Sequence, residues 1–364
     1  MQAQHAAQPE VRMTEAVLAA FENQIDYCRK NDAPITARVV ESIAAALGQD
    51  TPFTNAVRDW PGPHPLSDAL PLRAAGGLHA LLLSGAEPAL SPLYRGEPEG
   101  IANAESLVRA AIAAHGPALM PWLDGPPQTN EAGRSSNYAA AMLWLTAQGL
   151  PPRFDCIEIG SSAGINLMMD RYRYDLGGVK VGPADAEMAF TPEWRGPPPP
   201  APPASGLEII HLRGCDVAPV DLSDPAQLLR LKAYVWPEHH QRFERLEIAG
   251  RLAAAKAPDL VQADADEFVE AELARPQLSG TTRIVMHSVV WQYLGEARQE
   301  RITRAIEAAG AKADMDRPLA WIALEANRDT YQQHELVVRH WPGDGQPQVL
   351  ARSHAHGAWI NWLA

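Results

Sequence analysis

Cysteine, basic charge and long apolar runs are all scarce in this 364-residue chain, and each shortage closes off a class of protein. The three cysteines, Cys28, Cys156 and Cys215, are far apart and odd in number, and no C-x-x-C spacing joins any two of them. That excludes a disulfide framework and a zinc knuckle and suits a reducing compartment, so a cytoplasmic location is expected. The 31 basic residues are outnumbered by 44 acidic ones, a formal charge of -13 that repels phosphate backbones, and no basic stripe offsets it. No nucleic-acid partner is expected. No stretch approaches the roughly 18 uninterrupted apolar residues of a membrane span, so no membrane partner is expected either. Met1 to Met13 is polar, lacks the apolar core of a secretory signal and is taken as a frayed tail. The 46% hydrophobic and 21% charged residues that remain are ordinary globular values, enough for one large or two ordinary domains. Oligomeric state is not readable.

The pattern changes near residue 150. Before it the chain is rich in Ala and Leu and carries helical stripes: Val17, Phe21, Ile25 and Cys28; then Leu107, Val108, Ala111 and Ile112; then Tyr138, Met142 and Leu145. Pro52, Pro61, Pro63 and Pro65 punctuate them. After Pro151-Pro152, short β-rich runs alternate with helical stretches, the order expected of a parallel sheet with crossover helices. Strands are expected at Phe154–Ile159, Leu207–Leu212, Leu260–Gln262, Arg283–His287 and Leu319–Leu324. Glu335–Trp341 and Gln348–Ser353 flank Pro342-Gly343-Asp344-Gly345 and predict a closing antiparallel hairpin. The fold class is therefore α/β: a Rossmann-like, mostly parallel sheet over 151–364 with a C-terminal hairpin, preceded by a helical region over 1–150 that caps the site. A Pro-rich insertion near 195–206, with Pro197 to Pro203 at its centre, is expected as a stiff surface loop. Five alternating strands and such a hairpin resemble the layout of S-adenosylmethionine-dependent methyltransferases in order of elements.

The strongest local signal is the run from Phe154 to Leu167, which reads as strand, small-residue turn and helix. Small residues let the backbone approach a ligand, and free amides at a helix start receive an anionic group. In the methyltransferase class the matching pattern is acidic-x-Gly-x-Gly-x-Gly, and here Glu158, Gly160, Ser162 and Gly164 take those places, with Ser162 where the middle glycine would stand. Ser161 and Asn166 complete the expected cofactor loop. A bulky residue at Gly160 is expected to abolish binding without unfolding the chain. Asp216 and Asp264, at the ends of the second and third strands, are expected to accept hydrogen bonds from ribose and adenine. Two other readings of the loop stay open. Ser161 or Ser162 can be an ordinary N-cap. Alternatively, Gly160-Ser161-Ser162-Ala163-Gly164 matches the G-x-S-x-G nucleophile elbow, with Ser162 as the nucleophile of a hydrolase and His356 as its partner.

Other constellations are weighed against plain structural roles. His287 closes the fourth strand at the edge where ligands bind, which makes it the candidate general base; a satisfied core histidine is the alternative. Gln128 to Ser135 opens a helix with a polar run in which Asn130 and Arg134 are candidate substrate contacts, while Thr129 and Asn130 also serve as capping residues. Asp170 to Asp175 reads as a helix end with arginines lying over tyrosines, and Tyr172 is a further candidate at the ligand mouth. His354 and His356, at i and i+2, would share one side of a strand, with His356 the fourth substrate candidate. No third ligand accompanies them and the adjacent pair His239-His240 diverges on a helix, so no metal is expected.

Together these blocks resemble the bacterial family of domain of unknown function 2332. The likeness rests on Gln128 to Glu131, Glu158 to Leu167, Arg171 to Tyr174, Trp236-Pro237, His287-Ser288, Tyr293-Leu294 and His356-Gly357 with Trp359. The resemblance implies a methyltransferase-like fold and brings no established activity. The expected function is methyl transfer from S-adenosylmethionine to a small molecule. A serine hydrolase and a non-catalytic ligand-binding protein of the same fold are the alternatives.

Overall fold

The computed structural model describes residues 15–125, 127–128, 130–327 and 333–364. The expected tail Met1 to Met13 and the capping candidate Thr129 lie outside them. The chain divides into two units, and the division does not follow the sequence order.

One unit contains the described part of residues 1–129 together with Pro225–Leu246. Its helices include Glu15–Lys30, Pro34–Ala46, Pro52–Arg58, Leu70–Leu83 and Ala104–Leu119. Proline in the first turn starts several of them, where its missing N–H costs nothing. Of the apolar faces read from the sequence, Val17, Phe21, Val108, Ala111 and Ile112 are buried in its core, together with Val39, Ile43, Phe53, Leu70 and Leu78. The later segment is tied in by Glu238. Its carboxylate accepts the N–H groups of Ile35 (2.6 Å) and Thr36 (2.9 Å) and the Thr36 hydroxyl (2.7 Å), supplying the cap that Ala33 cannot give helix Pro34–Ala46.

The other unit contains Asn130–Asp224 and the described part of Glu247–Ala364. Helix Ser135–Ala147, which the sequence pattern groups with the helices before it, lies here and is buried along nearly its whole length. Among the described residues the strands are β1 (Arg153–Ile159), β2 (Tyr172–Leu176), β3 (Val179–Val181), β4 (Met188–Phe190), β5 (Glu193–Arg195) and β6 (Glu208–Asp216), followed by β7 (Asp259–Gln262), β8 (Thr282–Ser288), β9 (Leu319–Ala326), β10 (His334–Trp341), β11 (Gln348–Ser353) and β12 (Trp359–Trp362). Nine of them form one sheet in the order β5-β12-β11-β10-β9-β8-β1-β6-β7, parallel from β9 to β7. β10 and β11 form the expected antiparallel hairpin. The unit is thus mixed α/β with a large, mostly parallel sheet. β8 is buried at every position and β1 at most, as strands covered on both faces must be.

Three local expectations change. The turn after β1 leads into the six-residue 3-10 helix Asn166–Arg171 in place of an α-helix, and the chain then enters β2. The Tyr172 hydroxyl takes the Ile165 carbonyl at 2.7 Å and draws the chain into the strand. Asp170 and Arg171 thus end a 3-10 helix while Tyr172 to Asp175 belong to β2, and Arg171 donates to the carbonyls of Leu252 and Lys256. The insertion is more than a loop. Pro197 to Pro203 has no regular structure, but β2, β3 and β4 before it make a small second sheet, and β5 extends the main sheet beside β12. Finally, His354 and His356 lie in a turn closed by Gly357 N–H to the His354 carbonyl (3.0 Å), so they do not share a strand face.

Candidate functional site

The parallel part of the sheet starts in the middle. β1 is flanked by β6 and β8, and chain direction places the carboxyl ends of all three on one rim. Such a reversal of strand order leaves a crevice at the C-terminal ends of the central strands. The loops on either side of it are held in a backbone conformation that side chains disfavour. Ser162 has φ +52° and the β-branched Val289 has φ +54°. Left-handed residues of this kind need over-determined surroundings and cluster at functional places.

For Ser162 those surroundings are visible. Its N–H donates to Asp216 Oδ2 (2.8 Å) and its carbonyl accepts from Val220 N–H (3.0 Å). The parallel register sets Glu158 beside Gly214 and so carries Asp216, two residues later, up to the loop. Glycine is required at 214, because a Cβ there would lie 2.2 Å from Ser161 Oγ. Asp216 accepts Ala218 N–H with its other oxygen (2.9 Å).

Three further loop amides also have partners within the unit. Ser161 N–H donates to the Cys215 carbonyl, Gly164 N–H to the Ser161 carbonyl and Ile165 N–H to Asn130 Oδ1 (2.9 Å). These amides do not stand open for a ligand anion as the sequence predicts. At Gly160, φ is +67° and a Cβ would meet Val290 Cγ2 at 2.3 Å, so a larger residue there disturbs the loop packing itself, against the expectation of a harmless block. Asn130 acts as a clamp on this loop.

Beneath the loop the polar groups are less well matched. Glu158, 2% exposed, accepts Asn166 Nδ2 at 2.8 Å through Oε1. Its Oε2 and Asn166 Oδ1 have no hydrogen-bond partner among the described residues. The Tyr138 hydroxyl sits beside Ser288 and in the field of Glu158, without a partner in good geometry. Ser162 Oγ is also buried and unpartnered, with no imidazole in hydrogen-bond reach. Burial pushes the Glu158 carboxyl up to about 7, against the opposing pull of Asn166, Ser161 and Arg134. Burial, with Glu158 as a second cause, likewise raises the Tyr138 phenol well above its ordinary value. Native interiors leave few polar atoms unsatisfied, so several around one loop call for an explanation.

His287 is 1% exposed and fully engaged. Trp321 Nε1–H donates to its Nε2 (3.0 Å), and indole is only a donor, so the ring proton is on Nδ1, facing Glu325 Oε1 at 2.7 Å. Trp291 stacks on it with ring centroids 5.0 Å apart. No lone pair is left for a substrate proton, and the satisfied-core alternative describes this histidine. Burial raises Glu325, but His287 and the N–H groups of Val290 and Trp291 outweigh it and hold the carboxyl below the usual range.

The other candidates separate. Asp264 forms an ion pair with Arg298 (2.9 Å). Tyr172 is wholly buried, its hydroxyl spent on Ile165. Arg134 is buried, donates from Nε to the Ala355 carbonyl (2.9 Å) and so meets the turn that carries His356, whose N–H donates to His354 Nδ1 (3.2 Å). Among the described residues no three His, Cys, Asp or Glu side chains gather as a metal site, and no helix is long and apolar enough to cross a membrane. All three cysteines are buried and free.

Residues 18–362 match the family described as "Uncharacterized protein conserved in bacteria (DUF2332)". The chain belongs to this family. Neither the curated proteins nor the solved structures compared with it gave a match. In this DUF2332 protein, then, the site rests on geometry. Sequence reasoning missed Tyr138 as a site residue, although it stands four residues after Arg134 on one helical face. It also missed Glu325, whose place at the end of a parallel strand was a usable signal.

Proposed function

We propose that this DUF2332 protein is a cytoplasmic, S-adenosylmethionine-dependent methyltransferase acting on a small molecule. The observation that carries the reading is the five-strand parallel order β7-β6-β1-β8-β9, with a glycine bend at the end of its central strand and an aspartate at the end of the next. Ligands of open α/β sheets bind at such a rim, and Asp216 keeps lone pairs for ribose hydroxyls after accepting two N–H groups. The fit is uneven. The carboxylate of Asp216 suits a nucleoside, whereas the partnered loop amides do not suit an anion. When bound, the donor supplies an electrophilic methyl group; the chain's part is to hold and orient, which can lower such a barrier greatly. The His287, Trp291 and Trp321 cluster forms a rigid wall for this purpose.

Thermal unfolding of the full chain tests the reading. At about 100 times its dissociation constant, S-adenosylmethionine or its demethylated product should stabilise by about 2.7 kcal/mol, and Asp216→Ala should remove most of that. Absence of any shift with adenosine compounds at millimolar concentration refutes it. A serine hydrolase is favoured by one observation, the left-handed backbone of Ser162 inside G-x-S-x-G. Labelling of Ser162 by a fluorophosphonate would establish that alternative.

A further inference from the structure

The unpartnered atoms beneath the loop share a chemical sense. Glu158 Oε2 and Asn166 Oδ1 are acceptors, and the Tyr138 hydroxyl beside Glu158 can accept as well as donate. The direction of the Asn166 carboxamide is fixed by the bond it already makes. Its nitrogen donates to Oε1, so the amide oxygen is left over. Glu158, Asn166 and Tyr138 are each no more than 2% exposed, so bulk water does not satisfy them. Three donors nearby are spent: Asn166 Nδ2 on Glu158, Ser162 N–H on Asp216 and Ile165 N–H on Asn130. The Ser162 hydroxyl, also unpartnered, donates or accepts. A group with several N–H bonds and a positive charge would complete the three vacancies on Glu158, Asn166 and Tyr138.

We infer that Glu158, Asn166 and Tyr138 form a receptor for a protonated primary amine, so that the ligand of this rim is an amine-bearing metabolite whose ammonium seats beneath the Gly160–Gly164 loop. The inference does not depend on the identity of the methyl donor. An ammonium has three N–H donors, which match the two orphan oxygens and the phenol, and its charge joins Asn166, Ser161 and Arg134 in favouring the ionised form of the carboxylate. Binding therefore expels the proton from Glu158, and affinity should rise with pH until that carboxyl is ionised without help.

The test uses the full chain, no adenosine compound and two cations of equal charge, one with three N–H bonds and one, larger by three methyl groups, with none. Methylammonium chloride and tetramethylammonium chloride are compared by thermal unfolding at equal ionic strength and pH 8. The expected result is a rise of about 3 °C with methylammonium at ten times its dissociation constant, and none with tetramethylammonium. Glu158→Gln should abolish the difference and Asn166→Ala should reduce it. Tyr138→Phe, which removes one hydroxyl, provides a check should either of those fail to fold. Equal responses to both cations in the wild type, or a methylammonium response unchanged in Glu158→Gln and Tyr138→Phe, would overturn the inference. So would a crystal soaked in methylammonium that shows only water between these side chains. Because no nucleoside is present, failure of the methyltransferase reading leaves this outcome unaffected.

Discussion

Replacing Glu158 by glutamine should change how the stability of this protein depends on pH, and the size of the change follows from burial. The folded chain holds the Glu158 carboxyl at about 7 against an ordinary value of 4.5, chiefly because burial disfavours its charged form. The folded state therefore binds more protons than the unfolded state between those two values, and stability falls as pH rises through that window. At 1.36 kcal/mol per unit, ionisation above pH 7 costs about 3 kcal/mol, an order-of-magnitude figure. The charged and titratable groups facing Glu158 are Arg134 and Tyr138 from the helical side and Asp216 from the neighbouring strand. Glutamine keeps an oxygen for Asn166 Nδ2 and carries no charge. Urea unfolding from pH 4.5 to 8.5 should show similar stability for the two proteins at the acid end, with the variant ahead by up to about 3 kcal/mol at pH 8. Other titrations are common to both and cancel in the difference. Parallel pH profiles for wild type and variant would refute the argument.

The same linkage runs the other way at His79, buried in the first unit, stacked on Tyr94 and held at about 4, first by burial. Its neutral form favours the fold above pH 6.5, so that unit should lose about 3 kcal/mol as pH falls towards 4; His79→Gln should flatten this loss in acid unfolding curves. Gly160→Ala should cost about 1–3 kcal/mol by chemical denaturation, through left-handed strain and the clash with Val290. Val290→Ala should recover part of it in a double-mutant cycle. His287→Ala removes a hydrogen bond to the Glu325 carboxylate and should cost about 1.5–3 kcal/mol by the same measurement, and a loss below about 1 kcal/mol would contradict that contact.

The parallel strands were legible because strands covered on both faces are nearly continuous apolar runs, as Phe154 to Ile159 and Ile284 to Met286 are. The hairpin announced itself through Pro342 to Gly345. β5 did not. It is three residues long, and its partner β12 lies more than 160 residues away, so nothing local marks it. The helix after the glycine loop was misread for a related reason. Asn166 to Arg171 has helical composition, but the bond from Tyr172 to Ile165 outweighs propensity and turns the chain into β2. Tyr138 falls on an apolar stripe and is indeed buried there. Only the fold reveals that its hydroxyl lies in the field of Glu158. Asp216 illustrates the opposite case: it lies 54 residues from Ser162 yet was legible as a strand-end acid of the same site, and parallel register brings the two to 2.8 Å.

Under the amine-receptor inference, these two features together set which charge the rim prefers. A loop with open amides favours anions, but here Asp216 has taken the Ser162 amide and Asn130 the Ile165 amide. An incoming anion must displace Asp216 from a charge-assisted bond worth about 1.5–3 kcal/mol, a handicap of about ten- to a hundred-and-fifty-fold in affinity. A cation beneath the loop displaces nothing and relieves the desolvation that raises Glu158. Glycine loops are usually associated with phosphate or carboxylate, but the charge a rim prefers is set by which of its donors the protein has already used. If the inferred amine receptor holds, the sheet edge of this family member selects ligands by their positive end.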